Sequence, residues 1–424
     1  MITAVDKLLL QGKAARKIGK TLGVLSTERK NEAIGRIAAA LQARQKEILE
    51  ANEMDCEAGA ASGLSESILD RILLTSQRLE SMSENLRSII ILPDPVGEVF
   101  DMSTRPNGLM MGKKRVPLGV IGAIYENRPN VTVDISALCI KSGNACILRG
   151  SREAIHSNRV LVAIIRKAIG DAGITEDVVQ FVDDPDRKLV VSMLRMNQYI
   201  DLMIPRGGAE FIRFVIETAT MPVVAGGVGV CHTYVDKGAD LDKAVSIANN
   251  AKVSRPSVCN ALDTLLVHAD MADRYLPRIA REWAQAGVEM RCDQRSLGIL
   301  RRLERMNVRP AVPEDWGKEF LALIASVRVL DSLDEALEHI AEYGSGHSEA
   351  IVTEDYGTAM RFLDEVDAAA VYVNASTYFT DGAQFGLGAE VGISTQKFHA
   401  RGPMGLGELT SYKWIIFGNG QVRL

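Results

Sequence analysis

The chain has 424 residues, of which 47% are hydrophobic and 24% charged, a composition typical of a globular protein with two or three domains. Its 49 basic and 54 acidic residues give a net charge of −5 without any basic block. Nucleic acid and anionic membranes are therefore excluded as expected partners, and a small molecule is favoured. The first residues combine an acid with a short apolar run, which fits neither a secretory signal nor a spanning helix, so we expect a cytoplasmic protein.

The N-terminal part of the chain predicts helices. Ser26 and Thr27 are candidate N-caps, residues 59–63 are small and predict a break, and Pro93-Asp94-Pro95 ends the helical region. Residues 105–115, which include a Pro-Asn-Gly turn, then predict an extended hairpin. The apolar residues at helical spacing are Ile34, Ile37, Ala38, Leu41, Ile48, Leu79, Met82, Leu86 and Ile89.

From Val116 the pattern changes to alternating strands and helices, which predicts an α/β fold with a doubly wound, mostly parallel sheet. Ligands of such sheets bind at the carboxyl ends of the strands. The predicted strands are 116–125, 145–148, 178–182, 199–204 and 222–225. The predicted helices are 131–141, 154–169, 187–196 and 209–218.

A second α/β segment begins near Val230. Its predicted helices are 241–251, 271–286 and 332–342, and its predicted strands are 261–267 and 327–330. Beyond Asp381 the chain is dense in glycine, which is typical of tight turns and close backbone approach, and equally of loops at a domain interface.

The six cysteines form no CxxC pair, and the six histidines lack metal-binding spacing, so we predict reduced thiols and no metal site. Cys259 is the candidate nucleophile, because its loop, residues 254–260, follows a predicted helix and directly precedes a predicted strand. Arg255 and exposed backbone amides would favour the reactive thiolate there. The alternative from the residues alone is a buried, inert cysteine.

No complete GxGxxG fingerprint occurs, so a dinucleotide would have to be held in another way. The candidate is the strand end at Arg149, Gly150, Ser151 and Arg152, where two guanidiniums lie beside the start of a helix, an arrangement that suits a phosphate. Ordinary exposed arginines at a helix start are the alternative. A second strand end repeats the arrangement with Arg206, Gly207 and Gly208.

The third strand end carries Asn127 and Arg128. The Asn127 amide could donate to an oxyanion near the thiol, and Arg128 could steer an anionic substrate. A turn built on the Asn-Arg-Pro-Asn sequence is the alternative reading of this segment.

Seven motifs follow one another over almost the whole chain: 116–132, 147–150, 204–208, 226–232, 255–260, 371–376 and 385–391. On these motifs the chain resembles the gamma-glutamyl phosphate reductases, or glutamate-5-semialdehyde dehydrogenases, a branch of the aldehyde dehydrogenase superfamily. The resemblance implies an aldehyde-dehydrogenase-like fold in three parts. These are a cofactor domain (1–102 and 117–229), a catalytic domain (230–404) and a small β-hairpin oligomerisation flap (103–116 and 405–424).

The resemblance also implies the reaction, which is NADPH-dependent reduction of L-glutamyl 5-phosphate to L-glutamate 5-semialdehyde in proline biosynthesis, with Cys259 as nucleophile. Arg152 stands where NAD-preferring relatives often have a glutamate, which favours the 2′-phosphate of NADP. Expected partners are a second copy of the chain, in a dimer or tetramer, and the upstream glutamate 5-kinase. The further expected cofactor contacts are Arg149, Gly150, Ser151, Arg206, Gly207, Gly208, Gly226, Gly227 and Glu319. The expected substrate contacts are Arg128, Arg255 and Asn260.

The segment Val224-Ala225-Gly226-Gly227 departs from hydrolytic aldehyde dehydrogenases, which carry a general-base glutamate just before the Gly-Gly pair. Water activation is therefore not provided for, as suits a thioester that must survive until hydride transfer. Three rivals stay open: a CoA-acylating aldehyde dehydrogenase, a thiol acyltransferase or amidase without nicotinamide, and a non-catalytic binding protein. The second would need a histidine base, for which His232 and His268 are weak candidates.

Overall fold

The computed structural model of the chain describes residues 3–224 and 226–423. These residues form two compact units, the first within 1–225, 386–392 and 403–424 and the second within 226–385 and 393–402. Among the described residues, no helix is long and apolar enough to cross a bilayer.

The helices are α1 Ala4–Leu22, α2 Thr27–Ala43, α3 Gln45–Ala61, α4 Glu66–Ile72, α5 Ser76–Ile91, α6 Asn130–Lys141, α7 Ile155–Asp171, α8 Arg187–Leu194, α9 Ala209–Thr218, α10 Leu241–Val253, α11 Ala269–Gln285, α12 Gln294–Leu300, α13 Leu333–Tyr343 and α14 Tyr356–Glu365. The strands are β1 Val99–Thr104, β2 Met110–Pro117, β3 Val120–Tyr125, β4 Ala145–Arg149, β5 Val179–Phe181, β6 Leu202–Arg206, β7 Cys231–Val235, β8 Leu262–His268, β9 Glu289–Cys292, β10 Val308–Pro310, β11 Ile324–Leu330, β12 Ser348–Val352, β13 Ala370–Val373, β14 Ile393–Ser394, β15 Gly402–Pro403 and β16 Thr410–Phe417.

The N-terminal helices α1 to α5 confirm the predicted helical region. Ser26 caps α2, since its Oγ accepts a hydrogen bond of 3.4 Å from the Arg29 amide. The break predicted at 59–63 lies later than expected, because α3 continues to Ala61 and Gly63 then turns the chain with a φ of 77°. The apolar residues that recur at helical spacing between Ile34 and Ile89 are all buried. Their spacing therefore correctly predicted which side of each helix faces the core.

The first unit contains a four-stranded parallel sheet in the order β5-β4-β3-β6, with α6 to α9 close to their predicted bounds. The predicted strand 116–125 is wrong as one element. Gly119 separates β2 from β3 with a φ of 129°, and a Cβ there would lie 2.2 Å from Asp201 Oδ2. Only glycine therefore allows the chain to leave one sheet and enter the next at this point.

The strand predicted at 222–225 is reduced to a single bridge between Val223 and Met203. Pro222 has no N–H to donate, and the following Gly226 and Gly227 do not favour a strand, so the pairing stops. Ala225, the last residue of that prediction, lies outside the described residues.

The second unit contains a seven-stranded sheet, parallel throughout, in the order β10-β9-β11-β8-β7-β12-β13. One core cluster includes Tyr275 and Trp283 of α11, and another includes Tyr234 of β7 and Phe362 of α14. The predicted helices and strands of this segment are present with small shifts at their ends. The strands β12 and β13 were not predicted from the sequence.

A separate antiparallel sheet in the first unit joins β1, β2 and β16. It confirms the predicted hairpin and extends it, because the first strand begins at Val99 and β16 pairs with β2 along its whole length. Lys113 lies over the rings of Tyr412 and Trp414, at 4.8 and 5.3 Å from their centroids. The use of this sheet in oligomerisation, and the three-part domain division, stay predictions.

Polar side chains are buried on β7 and β12 of the second sheet. Glu349 Oε2 accepts hydrogen bonds from the amide and the Nδ1 of His232, at 2.8 and 2.9 Å. His347 precedes β12 and is completely buried, so burial lowers its pKa to about 4. Its Nδ1 lies 2.8 Å from Ser348 Oγ. The folded state thus holds His347 neutral at pH values where the unfolded chain would protonate it.

Because the folded pKa of His347 is depressed, the unfolded state binds more protons between pH 6.5 and about 4, and stability falls as pH falls through that window. From pH 7.5 to pH 5 this group should remove about 2 kcal/mol from the free energy of unfolding. His347→Asn should lose less stability than the wild type over the same interval, measured by urea unfolding. His399→Asn, at an exposed site, is the matched control. An equal loss in the wild type and in His347→Asn would contradict the assignment.

Candidate active site

The turn that carries Cys259 lies in the second unit, between α10 and β8. The Val258 amide donates to the Arg255 carbonyl at 3.3 Å, and the Ala261 amide donates to the Val258 carbonyl at 3.1 Å. Cys259 is half-buried and Arg255 is exposed. The sulfur-bearing residue therefore lies just before a fully buried strand, in the position expected from the sequence.

The other cysteines differ from Cys259 in their surroundings. Among the described residues all six are thiols, and those at positions 139, 146, 231 and 292 are buried. Burial raises the pKa of Cys292 to about 12, and burial also raises the pKa of the half-buried Cys56. In Cys56 and Cys292 the thiol is therefore favoured over the nucleophilic thiolate.

The backbone of Gly229 packs directly against that of Cys259. A Cβ at Gly229 would lie 1.7 Å from the Cys259 carbonyl oxygen and 2.9 Å from its Cα. No side chain fits in that space, so Gly229 is required for the two segments to approach. The Gly229 amide donates a hydrogen bond of 3.0 Å to Glu319 Oε1, which holds the segment from the other side.

Cys231 also holds this turn, through a hydrogen bond to its backbone. Its Sγ donates to the Cys259 carbonyl at 3.3 Å and lies 3.8 Å from His347 Nδ1. The hydrogen bonds continue from His347 to Ser348 Oγ and from there to Thr380 Oγ1, at 2.8 and 2.6 Å. Sequence reasoning assigned no role to Cys231, because its link to Cys259 exists only once β7 and β8 are paired.

Asn260, expected to contact the substrate, also ties this turn to a second loop. Its Nδ2 donates to the Tyr378 and Thr380 carbonyls at 3.1 and 3.0 Å, and its own carbonyl accepts from Thr377 Oγ1 at 2.8 Å. The side chain is buried, and its Oδ1 has no hydrogen-bond partner within the described ranges. Its substrate contact stays a prediction, while its contacts fix the loop beside Cys259.

Glu319, expected at the nicotinamide ribose, lies near a buried charge pair. Lys252 Nζ is 3.5 Å from Asp263 Oδ1, and the same oxygen accepts from the Phe320 amide at 3.2 Å. Burial raises the pKa of Asp263 to about 7, although the Lys252 charge opposes the shift and the Glu319 charge adds to it. The segment 319–320 is therefore held by both Gly229 and Asp263.

In the first unit, the ends of β3, β4 and β6 are neighbours, as expected from a parallel sheet. Asn127 has a φ of 46°, which asparagine tolerates, and its amide donates to Ser151 Oγ at 3.2 Å. Ser151 Oγ in turn donates to Asn127 Oδ1 at 3.1 Å, which leaves Nδ2 as the donor end of the side chain. Arg128 is exposed one residue later. The structure thus brings Asn127 and Ser151 together.

The end of β6 is tied to the end of β3. The Glu126 amide donates to the Arg206 carbonyl at 2.9 Å, and Glu126 Oε2 accepts from the Gly208 amide at 3.0 Å. A Cβ at Gly207 would lie 2.5 Å from the same carboxylate oxygen. Sequence reasoning gave Glu126 no role, and only the strand order reveals its contact with Gly208.

The predicted anion site lies at the end of β4. A Cβ at Gly150 would lie 2.1 Å from Asn158 Nδ2, so glycine is required where the chain turns. Arg149 is buried, and its Nη2 donates to the carbonyls of Pro185 and Asp186 at 3.2 and 3.3 Å. Its Nε has no partner in the described part of the chain. Arg152 is exposed in a short 3₁₀ turn that leads into α7.

The remaining candidates lie in the second unit. Gly226 pairs with Ser394, and a Cβ at Gly227 would lie 2.7 Å from Thr395 Oγ1. The histidines considered as bases are otherwise engaged: His232 is buried against Glu349, and His268 caps α11 by accepting from the Asp270 amide. Within the described residues, no group of His, Cys, Asp and Glu could hold a metal ion.

Gly229→Ala should displace the Cys259 backbone, because the added methyl group cannot fit beside the Cys259 carbonyl. A shift of about 1 Å at a reacting group lowers turnover roughly 100-fold, so we expect a loss of that order in kcat. The matched control is Gly298→Ala, which meets nothing within 4 Å in α12. Near-normal kcat in Gly229→Ala, or an equal loss in both variants, would contradict this reading.

The chain matches the family model for the aldehyde dehydrogenase family over residues 6–300 and 314–415. It is 57% identical over 423 residues to the gamma-glutamyl phosphate reductase of Dehalococcoides mccartyi strain CBDB1, covering 99% of this chain and 100% of that relative. It is 53% identical to the reductase of the same name from Heliobacterium modesticaldum, covering 99% of both chains.

The crystal structure of gamma-glutamyl phosphate reductase from Thermotoga maritima superposes with a TM-score of 0.95 at 48% identity, covering 99% of this chain and 100% of that chain. An acetylating aldehyde dehydrogenase from Geobacillus thermoglucosidasius shares the fold alone, with a TM-score of 0.72 at 15% identity and coverage of 99% and 98%. The chain therefore belongs to the aldehyde dehydrogenase family, and within it to the gamma-glutamyl phosphate reductases.

Proposed function

We propose that this chain reduces L-glutamyl 5-phosphate to L-glutamate 5-semialdehyde with NADPH and releases phosphate, as a step of proline biosynthesis. The observation that carries the proposal is the half-buried Cys259, held by Gly229, Cys231 and Asn260 in a chain whose relatives at 48–57% identity are reductases of this substrate. A positioned thiolate can form a covalent thioester, which divides the reaction into an acyl-transfer step and a separate reduction step.

In the first step the Cys259 sulfur bonds to the acyl carbon, and the carbon–oxygen bond to phosphate breaks. Phosphate leaves with that electron pair and takes up the one proton that the overall reaction consumes. The Cys259 amide and Asn127 Nδ2 stabilise the developing oxyanion, and Arg255 or Arg128 assists the departing phosphate. After reduction, the carbon–sulfur bond breaks, and its electrons return to sulfur as the aldehyde is released.

The residues at the end of β4 fit a bound dinucleotide phosphate. Gly150 lets the chain turn where a Cβ would collide with Asn158. Arg149 has a buried Nε that no described residue satisfies, and Arg152 is exposed beside them. When bound, NADPH supplies the hydride. Ser151, Arg206, Gly207, Gly208, Gly226, Gly227 and Glu319 are the further proposed cofactor contacts, and Arg128, Arg255 and Asn260 the proposed substrate contacts.

The Gly226-Gly227 pair has no acid just before it to activate water, so the thioester is protected from hydrolysis. We further propose a cytoplasmic homo-oligomer, a dimer or tetramer, that pairs through the β1-β2-β16 sheet, where Trp414, Ile416 and Phe417 are each more than half exposed. Glutamate 5-kinase, which makes the unstable acyl phosphate, is the proposed upstream partner.

Cys259→Ala should abolish phosphate-dependent reduction of NADP by glutamate 5-semialdehyde while leaving NADPH binding intact, since only the covalent step is removed. Cys56→Ala, at another half-buried thiol, should retain near-normal rates. The assay follows absorbance at 340 nm with phosphate or CoA as acceptor. Appreciable turnover of Cys259→Ala refutes the covalent route, and a preference for CoA would favour a CoA-acylating dehydrogenase instead.

Arg152→Glu should shift cofactor preference toward NADH, because a cation that pairs with the 2′-phosphate is replaced by an anion that repels it. The ratio of kcat/KM for NADPH to that for NADH should fall at least tenfold. Arg195→Glu, a charge reversal in the same unit away from this strand end, is the control. A wild-type enzyme that prefers NADH would overturn the role proposed for Arg152.

A further inference from the structure

Asp134 is an ionisable side chain that the mechanism above does not use. It lies on α6, the helix that begins directly after the segment 126–129 with Asn127 and Arg128. Asn130, four residues earlier, lies on the same helix face. The intervening and following residues, from Val131 to Val133 and from Ile135 onward, are buried, whereas Asn130 and Asp134 are half-buried.

The two oxygens of Asp134 differ in their surroundings. Oδ2 accepts a hydrogen bond of 3.1 Å from Asn130 Nδ2, which fixes the carboxyl group. Oδ1 is shielded from solvent and has no hydrogen-bond partner within residues 3–224 and 226–423. An acceptor of this kind is costly to leave unsatisfied, and more so when it is charged.

The carboxyl group is largely ionised near neutral pH. Burial raises the pKa of Asp134 to about 6, while the Asn130 hydrogen bond and the charge of Arg206 limit the rise. A negative charge therefore lies close enough to Arg206 to interact with it, and Arg206 is proposed to meet an anionic group of the cofactor. A carboxylate at this place would repel phosphates and is complementary to a cation.

We propose that Asp134 Oδ1 binds the α-ammonium group of the glutamyl substrate and thereby selects amino-acid substrates over their deamino analogues. This inference rests on the proposed function and assigns a residue to the positive end of its substrate. An ammonium group supplies the missing donor and the opposite charge together. Asn130 acts as a positioning residue, because it orients the carboxylate.

The test compares two aldehydes in the phosphate-dependent reduction of NADP. L-Glutamate 5-semialdehyde carries the ammonium group, and 5-oxopentanoate is the same chain with hydrogen in its place. The wild type should favour the first in kcat/KM. Asp134→Asn should lose about ten- to a hundredfold on the first aldehyde, the usual effect of removing a hydrogen bond to a charged group, so the ratio of the two kcat/KM values should approach one.

Asp171→Asn, an exposed acid on α7, is the matched control and should keep the wild-type ratio. Retention of NADPH binding and of the melting temperature separates loss of recognition from misfolding. If Asp134→Asn lowers kcat/KM equally for both aldehydes, or for neither, the assignment of Asp134 is wrong while the proposed function stands. If the wild type reduces NADP with neither aldehyde, the proposed function fails, and this inference fails with it.

Discussion

The contact between the Gly229 backbone and the Cys259 backbone is the constraint on which the second unit's site depends. Because a Cβ at Gly229 would overlap the Cys259 carbonyl, the two segments can meet only as bare main chain. Glu319 accepts a hydrogen bond from the Gly229 amide, and Cys231 donates one to the Cys259 carbonyl. Both of the segments in contact are therefore held by a further hydrogen bond. If Cys259 is the nucleophile that we propose, a loop held in this way needs no reorganisation before attack.

Where local pattern and tertiary environment agree, the sequence was a reliable guide. The helix over 209–218 is found at the predicted residues, and the periodic residues from Ile34 to Ile89 all reach the core. The clustering of three strand ends also followed from the sequence, since parallel strands place their carboxyl ends on one edge. Ser151 meets Asn127 there through two hydrogen bonds that no local pattern specifies.

Contacts made across long chain separations could not be read from local pattern. β12 was missed because two of its five buried residues, Ser348 and Glu349, are polar. The strand therefore lacks the continuous hydrophobic run by which a buried parallel strand is recognised in a sequence. Nothing in the sequence links Cys231 with Cys259. The two residues meet only because β7 pairs with β8, which allows Cys231 Sγ to donate to the Cys259 carbonyl. Asp134 gave no signal in sequence, because the missing partner of Oδ1 is a property of its three-dimensional surroundings.

The strand ends of β4 and β6 carry similar Arg and Gly residues, yet their chemistry differs. At β6, the Glu126 carboxylate already accepts from the Gly208 amide at the start of α9, and a second anion there would be repelled. At β4, the acids Asp184, Asp186 and Glu153 and the cation Arg187 all act on the charge of Arg149. The buried Nε of Arg149 nevertheless has no described partner. The proposed phosphate site at β4 therefore keeps a donor that no described residue uses, whereas the Gly208 amide at β6 is already bonded to Glu126. The two strand ends differ because the strand order places different side chains beside them, such as Glu126 beside Gly208. Their similar local sequences cannot reveal these neighbours.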